Sequence, residues 1–240
     1  MLIILLVSSI PEPVSAQDAV WHSCVLSWED GDPKHDSDGV KDGTLTFGAG
    51  KSHVINKCNL FGTDKLVIQA GAVVKIAASC TKDQDSNITS CMPKPHCCNQ
   101  ELWAYGPETS IRIDGATITD VRDNTVGAVI PIEGTSIEPV PSYSMQFNRD
   151  GNNQITNSTI KYCGEMRYVG NMTITGSQFL SFGGIRESSS DVLINTAPVI
   201  TDNLFELAYP SNGGAVIDLR GKSPLFSGNT VRGILIESPS

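Results

Sequence analysis

The chain has 240 residues, a formal net charge of -9 and a sequence pI near 4.8, which argues against nucleic acid or an anionic membrane surface as its partner. With 22 Gly, 13 Pro and only 18% charged residues, it has the composition of a turn-rich β protein, long enough for one ordinary domain and at most a small second one. Residues 1–16, MLIILLVSSIPEPVSA, are apolar from Leu2 to Val7 and end on the small residues Val14-Ser15-Ala16. That is the pattern of a secretory signal peptide cleaved after Ala16, although a basic n-region is missing. A buried N-terminal strand is the competing reading of so short an apolar run. Pro11, Glu12 and Pro13 interrupt it, so a membrane span of about 20 apolar residues does not fit. The expectation is a secreted or cell-surface protein.

Residues 17–43 are expected to form an N-terminal cap and acidic linker. The stretch EDGDPKHDSDGVKDG (29–43) concentrates Asp30, Asp32, Asp36, Asp38 and Asp42. Hard oxygen ligands at alternate positions, with Gly39 permitting a tight turn, make Asp36, Asp38 and Asp42 candidate Ca2+ ligands. An EF-hand loop fails because Lys34 and Leu45 stand where ligands belong, and a solvated acidic linker is the alternative. The phrase DSDGVKDG resembles the calcium-binding repeats of thrombospondin type 3 modules.

A Cys-rich insertion, 79–100, follows between two apolar stretches. In an oxidising compartment its Cys80, Cys91, Cys97 and Cys98 are expected to pair as disulfides that staple a long loop. Four cysteines permit three connectivities, and the adjacent Cys97 and Cys98 are expected to take different partners. A zinc site using His96 is the sharper alternative, but no regular C-x-x-C pair supports it. Asn87, in the sequon Asn87-Ile-Thr within this loop, is the candidate glycosylation site. Sequons at Asn157 and Asn171 also occur.

From residue 44 onward one phrase recurs: IDGATI (113–118), ITNSTI (155–160), ITGSQF (174–179), ITDNLF (200–205) and FSGNTV (226–231). Successive copies start 42, 19, 26 and 26 residues apart. Periods in the twenties, built from short β segments, belong to solenoids whose coils bury their apolar face only by stacking. The 42-residue step is two coils, or one with an insertion. The third column holds Gly115, Asn157, Gly176, Asp202 and Gly228, residue types that accept a left-handed backbone at low cost, so the strand is predicted to bend there. The fourth column is small, and its Asn203 and Asn229 are expected to hydrogen-bond as a ladder. A regular Leu ladder and long 3.6-residue periodicity are both missing, which disfavours leucine-rich repeats and βαβ folds.

The segment HVINKCNLFGTDKLVIQAGAVVKIAAS (53–79), followed by ELWAYGPETSIRIDGATITD (101–120), APVITDNLFE and SPLFSGNTVRG, resembles the coils of secreted right-handed parallel β-helix proteins of the pectate-lyase-like superfamily. The resemblance covers about residues 44 to 236. It implies an all-β fold, a right-handed parallel β-helix (solenoid) over 44–240 with an N-terminal cap and a Cys-rich loop insertion, and a polysaccharide as partner. It implies no specific enzyme, because this scaffold hosts many functions. Paired Asp-Asp and Gly-His-Gly signatures are absent from the sequence. The nearest catalytic constellation is Asp120, Arg122 and Asp123, with Arg186, Glu187, Asp218 and Arg220 further along; a solvated loop is the blander account of these charges.

Six or seven coils of about 4.8 Å make a rod of roughly 30 Å, suited to an extended polymer. Trp103, Tyr105, Tyr143, Tyr162, Tyr168 and Tyr209 are candidate platforms for sugar rings, or else packing at strand edges. The first functional expectation is a non-catalytic polysaccharide-binding or adhesive module; the second is a lyase, hydrolase or epimerase acting on an acidic glycan. The terminal RGILIESPS stops just after a strand without a cap, so the sequence is expected to be part of a longer protein.

Overall fold

The computed structural model describes residues 19–24, 27–29, 32–34, 44–60, 65–77, 80–82, 88–91, 100–104, 109–132, 141–147, 152–187, 197–208, 216–219 and 223–233. Every regular element among them is a β-strand, as short runs of Val, Ile, Thr and aromatic residues broken by Gly, Asn and Asp dictate.

The chain opens with β1 (Ala19–Cys24) and the antiparallel pair β2 (Ser27–Glu29) and β3 (Asp32–Lys34). The first coil is β4 (Thr44–Phe47) and the long β5 (Ser52–Leu60). The second is β6 (Lys65–Ile68) and β7 (Val73–Ile76), then the antiparallel pair β8 (Cys80–Lys82) and β9 (Ile88–Cys91), then β10 (Gln100–Ala104). The third and fourth are β11 (Ser110–Asp114), β12 (Thr117–Asp120), β13 (Tyr143–Phe147), and β14 (Asn153–Thr156), β15 (Thr159–Lys161), β16 (Cys163–Tyr168). The fifth and sixth are β17 (Met172–Thr175), β18 (Gln178–Phe182), β19 (Gly184–Glu187), and β20 (Val199–Thr201), β21 (Leu204–Leu207), β22 (Val216–Asp218). The strands β23 (Leu225–Ser227) and β24 (Thr230–Gly233) follow.

Equivalent strands of successive coils pair in parallel and form three sides. Side one is β4-β6-β11-β14-β17-β20-β23; side two runs from β5 through β7, β12, β15, β18 and β21 to β24; side three runs from β5 through β10, β13, β16 and β19 to β22. The strand β5 serves both later sides, its Ser52–Ile55 half pairing β7 and its Cys58–Leu60 half pairing β10. In addition β1 pairs in parallel with β5, so the stacked body takes in residues 19–24, ahead of residue 44 where the repeat places its start. This all-β stack of parallel strands fits a β-helical solenoid. The 42-residue step proves to be one coil, with residues 121–142 inserted between β12 and β13.

The five hexapeptides are the corners between sides one and two, and they lie directly above one another. Their first residues pair in the series Ile113, Ile155, Ile174, Ile200, Phe226, and their last in the series Ile118, Ile160, Phe179, Phe205, Val231. All five third-column residues have positive φ, from 49° at Asn157 to 66° at Gly228, which turns the chain without interrupting either sheet. The fourth column is a hydrogen-bonded ladder. Ala116 N–H donates to Ser158 Oγ (3.2 Å), Ser158 N–H to Ser177 Oγ (3.1 Å), Ser177 N–H to Asn203 Oδ1 (2.8 Å) and Asn203 N–H to Asn229 Oδ1 (2.9 Å). The two Asn side chains also bond one another at 2.9 Å. The fourth-column side chain must be small to fit the bend, and from Ser158 onward it also accepts from the coil before it.

Inside, apolar files fill the solenoid: Phe47, Ile68, Ile113, Ile155, Ile174 and Ile200 are all essentially inaccessible. Opposite them Phe179 and Phe205 stack with centroids 4.8 Å apart. Fully burying one such side chain contributes about 1.5–3 kcal/mol, and each gains its neighbours only when the next coil arrives. Among the described residues no helix is long and apolar enough to cross a membrane.

Candidate functional site

The inserted loop after β12 carries the charged constellation, and it does not lie free in solvent. It folds against the outward face of side two, where Val121, Ala128 and Ile130 make a second apolar cluster with Val54 and Ala77. Its approach is close. Ala128 N–H donates to Ser52 Oγ at 2.7 Å, and a Cβ on Gly127, at φ +64°, would sit 2.6 Å from that oxygen and 2.8 Å from Val73 Cγ1.

Two carboxylates fasten this loop. Asp120 sits in register with Ile76 of the coil before it, where a charge has no water to meet. Arg122 answers it with a bidentate pair, Nε to Oδ1 and Nη2 to Oδ2, both 2.7 Å, and Ser142 Oγ donates to the same carboxylate. Asp123 accepts from Thr119 Oγ1 (2.8 Å), Lys161 Nζ (2.5 Å) and the N–H and Oγ1 of Thr125 (3.0 and 2.5 Å). Lys75, wholly buried, donates to the Asp123 carbonyl oxygen at 2.6 Å. With the Arg122 N–H, which donates to Asp120 Oδ1 at 2.8 Å, every carboxylate oxygen here accepts two bonds from the protein.

Burial alone would raise the Asp123 pKa, but the bonds from Lys161, Thr125 and Thr119 outweigh it and hold the carboxyl below its ordinary 3.8. Burial pushes the Lys75 ammonium down from 10.5 to about 8, with Asp123 and Asp120 partly offsetting that and Lys161 adding to it. The Tyr143 hydroxyl, buried and near Cys163, Asp120 and Asp123, is pushed well above 10.0. One atom is left over: Arg122 Nη1 is buried with no hydrogen-bond partner. The structure therefore joins Asp120, Arg122 and Asp123 as the sequence suggests, but as a clamp packed under a loop. The expectation of a solvated loop is corrected: Asp120, Arg122 and Asp123 are 2%, 7% and 1% exposed.

Arg186 and Asp218 belong to a different group, on the outward face of side three. There the Cα register links Asn59, Trp103, Gln146, Arg167, Arg186 and Asp218, one residue per coil. Their neighbours along each strand, Leu102, Met145, Phe147, Met166, Tyr168 and Ile185, are buried, as period-2 alternation requires. Glu165, beside this line on β16, binds Arg167 Nε at 2.7 Å and lies 3.7 Å from Arg186 Nε. Arg167 and Arg186 keep 38% and 47% of their side chains exposed, against 16% for Glu165. Sequence reasoning missed Gln146, Glu165 and Arg167; for Gln146 and Arg167 the signal available was a polar residue between a methionine and an aromatic residue, in YSMQF and CGEMRY.

Of the candidate aromatic platforms, Trp103 is half-buried in this line. Tyr143 and Tyr168 are corrected to core residues, 0% and 1% exposed, and Tyr162 is partly buried against the core with Lys161 Nζ 5.3 Å from its ring centre. Glu187 is buried, in register with Tyr168. In the Cys-rich insertion, Cys80 stands opposite Cys91 on the β8–β9 ladder, while Cys58 and Cys163 are core thiols. Asp36, Asp38, Asp42, Asn87, His96, Cys97, Cys98, Tyr105, Tyr209 and Arg220 lie outside the described residues. Among the described residues no three His, Cys, Asp or Glu side chains are grouped to hold a metal ion. The chain matches no protein-family model, no curated protein and no solved structure.

Proposed function

We propose that this chain is a secreted or cell-surface, right-handed parallel β-helix protein of the pectate-lyase-like superfamily that binds an extended polysaccharide without cleaving it. The binding surface is the outward face of side three. The observation that supports it is the unbroken register Trp103, Gln146, Arg167, Arg186, Asp218: five polar or aromatic groups in file at about 4.8 Å intervals, a regular spacing along the axis that an extended polymer can follow. The acids a glycosidase or lyase would need as proton carriers, Asp120 and Asp123, are instead consumed by bonds to the protein, which favours binding over catalysis. The same reading includes a signal peptide over residues 1–16, a Cys80–Cys91 disulfide supported by their opposed positions, glycosylation at Asn87, and Ca2+ at Asp36, Asp38 and Asp42.

Affinity electrophoresis through gels cast with soluble polysaccharides tests the proposal, with Trp103→Ala as control and an assay for new reducing or unsaturated ends on the same mixtures. Retardation that weakens in the variant, with no new ends, is the expected result. Release of either kind of end overturns the non-catalytic reading, and unretarded migration on every polysaccharide overturns binding.

A further inference from the structure

We infer that Cys24 and Cys58 form a disulfide that locks strand β1 onto the first coil, a modification that rests on the secreted reading above only for its oxidant. The backbone register carries it. Strand β5 bends from side two to side three between Ile55 and Cys58, and β1 follows that corner with one residue fewer: His22 pairs Ile55, and the next paired residue, Cys24, stands opposite Cys58. A regular ladder would have set Cys24 against Lys57. Paired Cα atoms on neighbouring strands lie about 4.8 Å apart, within the roughly 4.4–6.8 Å that a disulfide spans. Residues in register also share a face of the sheet. For Cys58 that face is the interior, where it heads the inward file Leu102, Met145, Met166 and Ile185, all buried.

The other cysteines leave this pairing intact. Cys163, the second core thiol, lies on β16, three rungs from β5, roughly 14 Å along the stack and beyond disulfide reach. Cys80 faces Cys91 across the β8–β9 ladder. Cys58 is a thiol in this structure and wholly inaccessible, so the bond forms before β1 docks. One thiolate attacks a small-molecule disulfide and expels a thiolate; the other then attacks the mixed disulfide and expels the second. The two protons shed by the cysteines go to the two small thiols, which are the reduced products. The consequence is mechanical. Among the described residues β1 is the outermost strand at its end of the stack, and its departure uncovers an edge of β5. The bond holds it in place by joining residues 34 apart in the chain.

The full chain, refolded in a mixture of oxidised and reduced glutathione, is alkylated in urea, digested with trypsin and read by mass spectrometry. Lys34, Lys57, Lys65, Lys161 and Arg167 put Cys24, Cys58 and Cys163 on separate peptides. A linked pair carrying Cys24 and Cys58 that reduction separates, with Cys163 alkylated, is expected. Alkylated Cys58, or Cys58 linked to any other cysteine, overturns the assignment. Urea unfolding adds an energetic readout. Without reductant Cys24→Ala is expected to raise the unfolding equilibrium constant about a hundredfold, and most of that difference is expected to vanish when reductant is added. An equal difference in both conditions contradicts the bond. Expression in secreting cells separates the two readings: if the chain is not exported to the medium yet the linked pair forms in glutathione, the secreted reading fails and the disulfide stands.

Discussion

At the scale of single residues, position in the coil decides what a side chain is for. Gly115 and Asn157 occupy the same corner column with φ of 61° and 49°, yet they differ in what surrounds them. A Cβ on Gly115 would lie 2.9 Å from Ala70 Cβ and 3.2 Å from Ala70 Cα, so Gly115→Ala adds overpacking to a left-handed strain and is expected to cost about 2–4 kcal/mol. Asn157→Gly is expected to be neutral or slightly stabilising, and urea unfolding of the pair measures the contrast. Asp123 is the second case. Its folded pKa lies below 3.8, so its stabilisation is present above the ordinary carboxylate range and is lost as pH falls through the folded value. Asp123→Asn is expected to cost about 3 kcal/mol at neutral pH and to flatten the acid limb of stability against pH. Lys75 has the same preference for the deprotonated form, here the neutral one: a folded pKa of about 8 against 10.5 means that the fold disfavours the ammonium, and stability from this residue rises between those two values. In Lys75→Met that rise is expected to vanish, as urea midpoints at about pH 7.5 and about pH 9.5 would register.

At the scale of elements, the corner ladder couples each coil to the next. Asn203 accepts from Ser177 N–H and donates to the Ile174 carbonyl oxygen at 3.1 Å, while Asn229 makes the equivalent bonds one coil later at a more exposed position. Asn203→Ala strands a buried N–H and is expected to cost about 1–3 kcal/mol, more than Asn229→Ala. Register itself is testable. Thr156 pairs Thr175, which pairs Thr201, so the double variant Thr156→Cys, Thr175→Cys is expected to cross-link under mild oxidation, whereas Thr156→Cys, Thr201→Cys, two rungs apart, is not. Sides one and two were legible in the amino-acid sequence because their shared corner demands a few residue types at fixed places. The corner of the second coil escaped the pattern: its Gly71 (φ 78°) follows an extra residue in IQAGAVV. Side three was not legible as a site. Strands β10, β13, β16 and β19 share only alternation, without a common corner, and nothing in alternation says that Trp103, Gln146, Arg167 and Arg186 stand in one file. The clamp at Asp120, Arg122 and Asp123 was visible as a charge cluster, but its burial depends on the apolar residues Val121, Ala128 and Ile130 folding the loop onto Val54.

At the scale of the whole molecule, a solenoid converts a repeat along the chain into a repeat along a surface. On the proposed reading each coil adds one member to the file from Trp103 to Asp218, so a polymer laid along the axis would gain one recognition unit per coil until the file ends. The measurement that tests this most directly is the affinity of an oligosaccharide series of increasing length. Affinity is predicted to climb with each added ring up to about five, the number that spans the line at one ring per 4.8 Å step, and then to level off. An affinity already complete with a monosaccharide or disaccharide, and indifferent to further length, would contradict lengthwise binding on this face.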